Sequence, residues 1–190
     1  MTLVGVVFLV SGVCSAIAQM FAGAASDRFG RRPLLLGTLL LSVFLYIGMA
    51  LLIGRAAPVL AIAAAYAGVR SALMMMRPAI SAVVVDLSPK ERLTETYGVL
   101  RVAQNLGWAA GPAVGGYLAA SLPYAWLFGF AALIGGIAFF FVVFRLRESF
   151  SGASEPVSVR SMFTAGADRG FLTFTVLNLL VFVVMGEMAS

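Results

Sequence analysis

The sequence contains no histidine, a single cysteine and very little charge. Without histidine, and with Cys14 alone, there is no Cys/His zinc site, no thiol–imidazole dyad and no internal disulfide. Cys14 lies in an apolar run and reads as a small packing residue. Only 11% of residues are charged, against roughly 25% in soluble chains. A soluble domain could not cover its surface with so few. Lysine is also scarce: of 13 basic residues all but Lys90 are arginine. The phosphate-cradling pattern G-x-x-x-x-G-K-[ST] is absent, so the chain carries no motif for ATP drive. No cofactor is implied. What fills the chain instead is apolar residue, 62% of 190, with a mean hydropathy of +1.03. Lipid is therefore the solvent for most of it. A net charge of +5 and a pI near 10 would elsewhere raise the question of nucleic acid. Here the basic residues sit in short blocks between apolar runs with no aromatic interleaving, which excludes that reading.

The charges divide the chain into six apolar stretches, about 2–25, 33–54, 57–85, 97–120, 124–144 and 171–190. Each is long enough for a spanning helix, which takes roughly 18–20 residues. None shows the short alternation of barrel strands. The sequence predicts an all-α integral membrane bundle of six transmembrane helices. Nine basic residues lie in connections one, three and five (Arg28, Arg31, Arg32; Lys90, Arg92; Arg145, Arg147, Arg160, Arg169). The alternate connections hold only Arg55. The positive-inside rule puts the odd connections in the cytoplasm and the N-terminus outside. The first span has no basic n-region and is too long for a signal-peptide core.

Two patterns carry more than composition. Between the first two spans stands Gly23-Ala-Ala-Ser-Asp27-Arg28-Phe-Gly30-Arg31-Arg32-Pro33. Gly30 suits a left-handed turn, Pro33 the first turn of the next helix, and Asp27 is an acceptor beside the arginines. In the fourth span, Gly107, Gly111 and Gly115 recur at i, i+4 and i+8, with Pro112 and Gly116 among them. Such a face admits close approach of another backbone, and Pro112 removes a donor within it.

The first pattern, G-x-x-x-D-R-x-G-R-R, resembles the signature of the major facilitator superfamily between its second and third helices. By resemblance Gly23, Asp27, Arg28, Gly30, Arg31 and Arg32 form a conformational-switch loop that braces two six-helix halves. The second pattern, G-x-x-x-G-P-x-x-G-G, resembles the fifth-helix motif of that family's drug/proton antiporters. Asp86-Leu-Ser-Pro-Lys-Glu91-Arg92 and Arg145-Leu-Arg147-Glu148-Ser149 are similar to the connections after its fourth and sixth helices. In the fourth-helix motif an arginine is followed four residues later by glycine, whereas Arg70 is followed by Met74. Counted back from Pro78 and Asp86, Arg70 stands at the glycine's place and Tyr66 at the arginine's.

Three arginines lie inside spans, where a central arginine costs roughly 2.5–3.5 kcal/mol on insertion scales and calls for a cavity or a partner. Arg70 is near a midplane; Arg77 and Arg101 lie nearer the cytoplasm, within reach of snorkelling. Gln104 and Asn105 extend a polar face beyond Arg101. Glu187 is the one carboxylate deep in a span, open to titration, to pairing with an arginine, or to marking a helix end. Together Arg70, Arg77, Arg101, Gln104, Asn105 and Glu187 form the candidate substrate or proton path. The methionine run 74–76 reads as packing or as the wall of an adaptable pocket.

The resemblance implies a secondary carrier of a bacterial inner membrane that exports drugs or other small molecules against protons by alternating access. It covers the family's second to seventh helices. Residues 1–148 would form a first half lacking one helix, 149–169 a cytoplasmic linker, and 170–190 the first helix of a second half. The expected partners are a small-molecule substrate, protons, the bilayer and the remaining helices of the same transporter. Two alternatives stay open: an uptake carrier for a sugar or metabolite, and a truncated, inactive or regulatory membrane protein. No enzymatic role is expected.

Overall fold

A computed structural model describes residues 2–149 together with 172, 173, 175 and 176. The chain divides into two compact units, Met1–Ala153 and Ser154–Ser190. In the second, Leu172, Thr173, Thr175 and Val176 are helical; the rest of the sixth stretch, with Glu187, lies outside the described residues, as does most of the expected linker.

The first unit is built of α1 (Thr2–Phe29), α2 (Arg31–Gly54), α3 (Val59–Leu87), a single 3₁₀ turn (Lys90–Arg92), α4 (Leu93–Ser121) and α5 (Tyr124–Arg145). All the described regular structure is helical, as lipid demands of a chain that satisfies its own backbone. Four of these helices are long and apolar enough to cross a membrane: α1, α2, α3 and α5. α4 is equally long but carries Glu95, Arg101, Gln104 and Asn105 in its first half. It nevertheless joins the Lys90–Arg92 turn at one end of the bundle to Pro123 at the other. At 1.5 Å per residue its 29 residues are about 44 Å long, enough to make the crossing.

Several helix bounds differ from the sequence reading: α3 lies two residues later at both ends, α4 and α5 each end one residue later, and three further differences shape the connections. α1 runs four residues beyond 25, because nothing from Gly23 to Phe29 breaks a helix and its charges emerge where water meets them. α2 begins at Arg31 rather than 33, and the expected connection shrinks to Gly30 alone. α4 starts at Leu93, since Thr94 and Glu95 lie outside the apolar run but are compatible with a first helical turn.

Packing follows the small residues. α1 lies mainly on α3, and α2 lies on both α3 and α5. The buried residues of α1 are Ser11, Ser15, Ala22 and Ser26, spaced along one face, and those of α3 are Val69, Ala72 and Ala79. With lipid outside, no hydrophobic effect presses helices together, so close backbone approach over small side chains supplies the contact. Most of the buried hydroxyls are met within their own helix: Ser11 donates to the Phe8 carbonyl at 2.9 Å, Ser15 to the Ser11 carbonyl at 2.6 Å and Ser42 to the Leu39 carbonyl at 2.7 Å, while the Ser26 hydroxyl has no partner among the described residues. Where α5 crosses α2, a Cβ on Gly135 would stand 3.1 Å from Val43 Cγ2. Where α3 crosses α2, one on Gly68 would stand 3.3 Å from Leu45 Cδ2. At the far end, α2 closes with Ala57 N–H donating to Leu52 O at 2.9 Å and Ala56 N–H to Ile53 O at 3.0 Å. That is a Schellman ending, with Ala56 at φ 49°.

An arginine-centred clasp and a candidate substrate cavity

The site begins with Gly30. Its φ of 101° and ψ of 161° belong to a region open essentially to glycine alone. This one residue ends α1 and starts α2, and leaves the first backbone N–H groups of α2 pointing outward. Those donors meet Glu148, which follows α5: Arg31 N–H donates to Oε1 at 3.1 Å and Arg32 N–H to Oε2 at 3.2 Å. A carboxylate at a helix N-terminus is favoured both by the orphan N–H groups and by the helix dipole. The fit is close: a Cβ on Gly30 would lie 2.7 Å from Oε2 of Glu148.

Arg31 stands at the centre, with 8% of its surface exposed. Its Nε is 3.1 Å from Asp86 Oδ2, at the end of α3, and a terminal nitrogen is 3.7 Å from Asp27 Oδ1, one turn back in α1. A second terminal nitrogen donates to the Ser26 carbonyl at 3.4 Å. Asp86 also accepts from the Ser149 hydroxyl at 2.9 Å. Arg32 donates to the Val143 carbonyl of α5 at 2.9 Å. The three connections that the charge count assigns to one side thus meet at a single point. Arg28 remains exposed, with its guanidinium 5.3 Å from the ring centroid of Phe29. Gly23 faces open space among the described residues.

The structure brings the first pattern together and leaves the second apart. Gly107, Gly111, Gly115 and Gly116 have nothing within 4 Å of an added Cβ. α4 runs unbroken through Pro112. Nearly the whole helix is bare among the described residues, with Trp108 76% and Tyr117 74% exposed.

Of the candidate path, Arg70 reaches Tyr66, the residue one turn earlier, at 3.5 Å. The Tyr66 ring meets Phe8 of α1 edge-on at 5.8 Å. Arg77, Arg101 and Gln104 come together in a different place, a cavity of about 240 Å³ between α3 and α4. Ile80, Ser81, Tyr97 and Leu100 complete its wall. Asn105 is exposed and takes no part in it. Tyr97 was not singled out from sequence, although its i, i+4, i+7 spacing with Arg101 and Gln104 marks a common face. Asp86, Glu148 and Ser149 were visible only as parts of loose connection patterns. Among the described residues no cluster of three His, Cys, Asp or Glu side chains stands ready for a metal.

Apolar helices long enough to cross a bilayer several times, tied at one end by an arginine-centred clasp, define a multi-pass membrane protein. The family follows from comparison. The chain belongs to the Major Facilitator Superfamily, whose model matches residues 1–189. It is similar to the class C tetracycline resistance protein of Escherichia coli, 30% identical over 183 residues, covering 95% of this chain and 45% of that protein. It is 32% identical over 145 residues to the class E tetracycline resistance protein of the same species, covering 76% and 34%. The multidrug resistance protein MdtG of Klebsiella pneumoniae is 28% identical over 190 residues, covering 97% and 44%. The chain therefore spans less than half the length of these curated relatives.

Proposed function

We propose that this chain is part of a proton-coupled exporter of drugs or other small molecules in a bacterial inner membrane. The observation that carries the reading is the clasp: Gly30, Arg31 and Arg32 joined to Asp86 and Glu148. In an alternating-access carrier, two helical bodies rock about a midplane site, and each must move as a unit. Arg31 and Glu148 make the cytoplasmic ends of α1, α2, α3 and α5 one such unit. Asp27, only partly used by Arg31, and exposed Arg28 are the groups left to engage and release a second body. The bare glycine face of α4, with Gly111 and Gly115, is then a sliding surface for that body. Residues 149–169 serve as the linker and 170–190 as the first helix of the second half. The resistance names of the relatives support export over uptake.

The test is reconstitution of the 190-residue chain in vesicles loaded with a pH-sensitive dye, challenged with a drug panel. Drug-driven proton movement, weakened by Gly111→Leu, supports the reading. A folded chain that moves no protons with any drug overturns it for this chain and favours the regulatory alternative.

A further inference from the structure

We propose that the cavity between α3 and α4 is an oxyanion site, taking the carboxylate or phosphate head of an amphiphilic anion. The inference deepens the carrier reading and rests on it for its biological use, though not for its chemistry.

Arg77 and Arg101 both line the cavity, together with Gln104 and Tyr97. Among the described residues no aspartate or glutamate does. The carboxylates on the same two helices lie at their cytoplasmic ends, Asp86 already engaged by Arg31 and Ser149. Among the described residues neither Arg77 nor Arg101 has an ion pair or hydrogen bond. The two meet because α3 and α4 run in opposite directions from the Lys90–Arg92 turn. Arg77 lies about 15 Å before the end of α3 and Arg101 about 12 Å after the start of α4, at 1.5 Å per residue. Tyr97 and Ser81 lie closer to that turn, and the Tyr97 hydroxyl donates to the Ser81 carbonyl at 3.3 Å, bridging the helices there.

Two guanidinium forks without a counter-carboxylate, at that depth in a span, form a site of fixed positive charge suited to planar oxyanions. Gln104 adds neutral donors. Ile80 and Leu100 are apolar wall. A volume of about 240 Å³ is below the roughly 300–1,000 Å³ of drug-sized pockets and suits a head group whose tail lies outside. Trp108 follows Gln104 by one turn on the same face of α4 and is exposed, which makes it a reporter.

The full chain carrying Trp126→Phe, so that Trp108 is its only tryptophan, is placed in phosphatidylcholine nanodiscs. It is titrated with 11-bromoundecanoate, and separately with the matched bromoalkyl trimethylammonium. The expected result is saturable quenching by the carboxylate alone, weakened about tenfold by Arg77→Gln or Arg101→Gln and unchanged by Arg55→Gln. Arg101→Lys keeps the charge and retains most of the binding, and far-UV circular dichroism confirms that each variant is folded. Equal quenching by the cation, or wild-type affinity in the double glutamine variant, overturns the site. Two further arms identify the source. Loss of quenching in phosphatidylglycerol nanodiscs, in the arginine protein only, assigns the site to a lipid head; competition by inorganic phosphate assigns it to a free anion. Drug-driven proton flux without anion binding overturns this site alone, while anion binding without flux overturns only the carrier reading.

Discussion

Among the described residues two hold positive φ, and only one is glycine. Gly30, at φ 101°, has no space for a Cβ because Glu148 fills it. Gly30→Ala is expected to lower stability by about 1–3 kcal/mol, read as a fall in the thermal midpoint of the detergent-solubilised chain. Ala56, at φ 49°, stands where a Schellman ending favours glycine. Ala56→Gly is expected to stabilise the unit by about 1 kcal/mol, read as a rise in the same midpoint, since left-handed backbone is costly to any L side chain. Glu148→Gln keeps the shape of the cap but turns a donor toward the N–H groups of α2. Its expected cost is about 0.5–2 kcal/mol, measured in the same melts.

At the scale of helices, glycines of similar appearance in the sequence have opposite surroundings. Gly135 of α5 is pressed against Val43 of α2, whereas Gly111 of α4 meets nothing within 4 Å. Gly135→Leu is therefore expected to destabilise the unit by about 1–3 kcal/mol through overpacking. Gly111→Leu should leave its melting unchanged while reducing vesicle flux; an equal loss of stability in both would contradict the packing described. The sequence exposed the helices because apolar length is a one-dimensional property, and it exposed Asp27, Arg28, Arg31 and Arg32 because charge interrupts such runs conspicuously. It did not reveal that Arg31 reaches Asp86, or that Glu148 caps α2, for those partners are 55 and 117 residues away. Only the folding of α3 and α5 against α2 brings them into range. The similar depth of Arg77 and Arg101 was legible in the sequence, but not that they line one cavity with Tyr97 and Ser81, which depends on how α3 and α4 pack after the turn at Lys90–Arg92.

For the molecule as a whole, the meeting of residues 31, 86 and 148 means that connections one, three and five share a side. Charge bias assigns that side to the cytoplasm. In a Cys14→Ser background, Lys90→Cys should resist an impermeant maleimide applied to intact cells, and Ser121→Cys should react with it. The reverse pattern would invert the topology. The clasp also bears on how the chain is made. Ribosomes deliver α1 and α2 to the membrane long before Glu148 exists, so the start of α2 must wait, uncapped, through the synthesis of three more helices. Until then the first N–H groups of α2 lack their carboxylate, although the Arg31 guanidinium already has Asp27 and, once α3 is made, Asp86. The cap of α2 is thus the last part of the clasp to be supplied, by one glutamate beyond the end of α5.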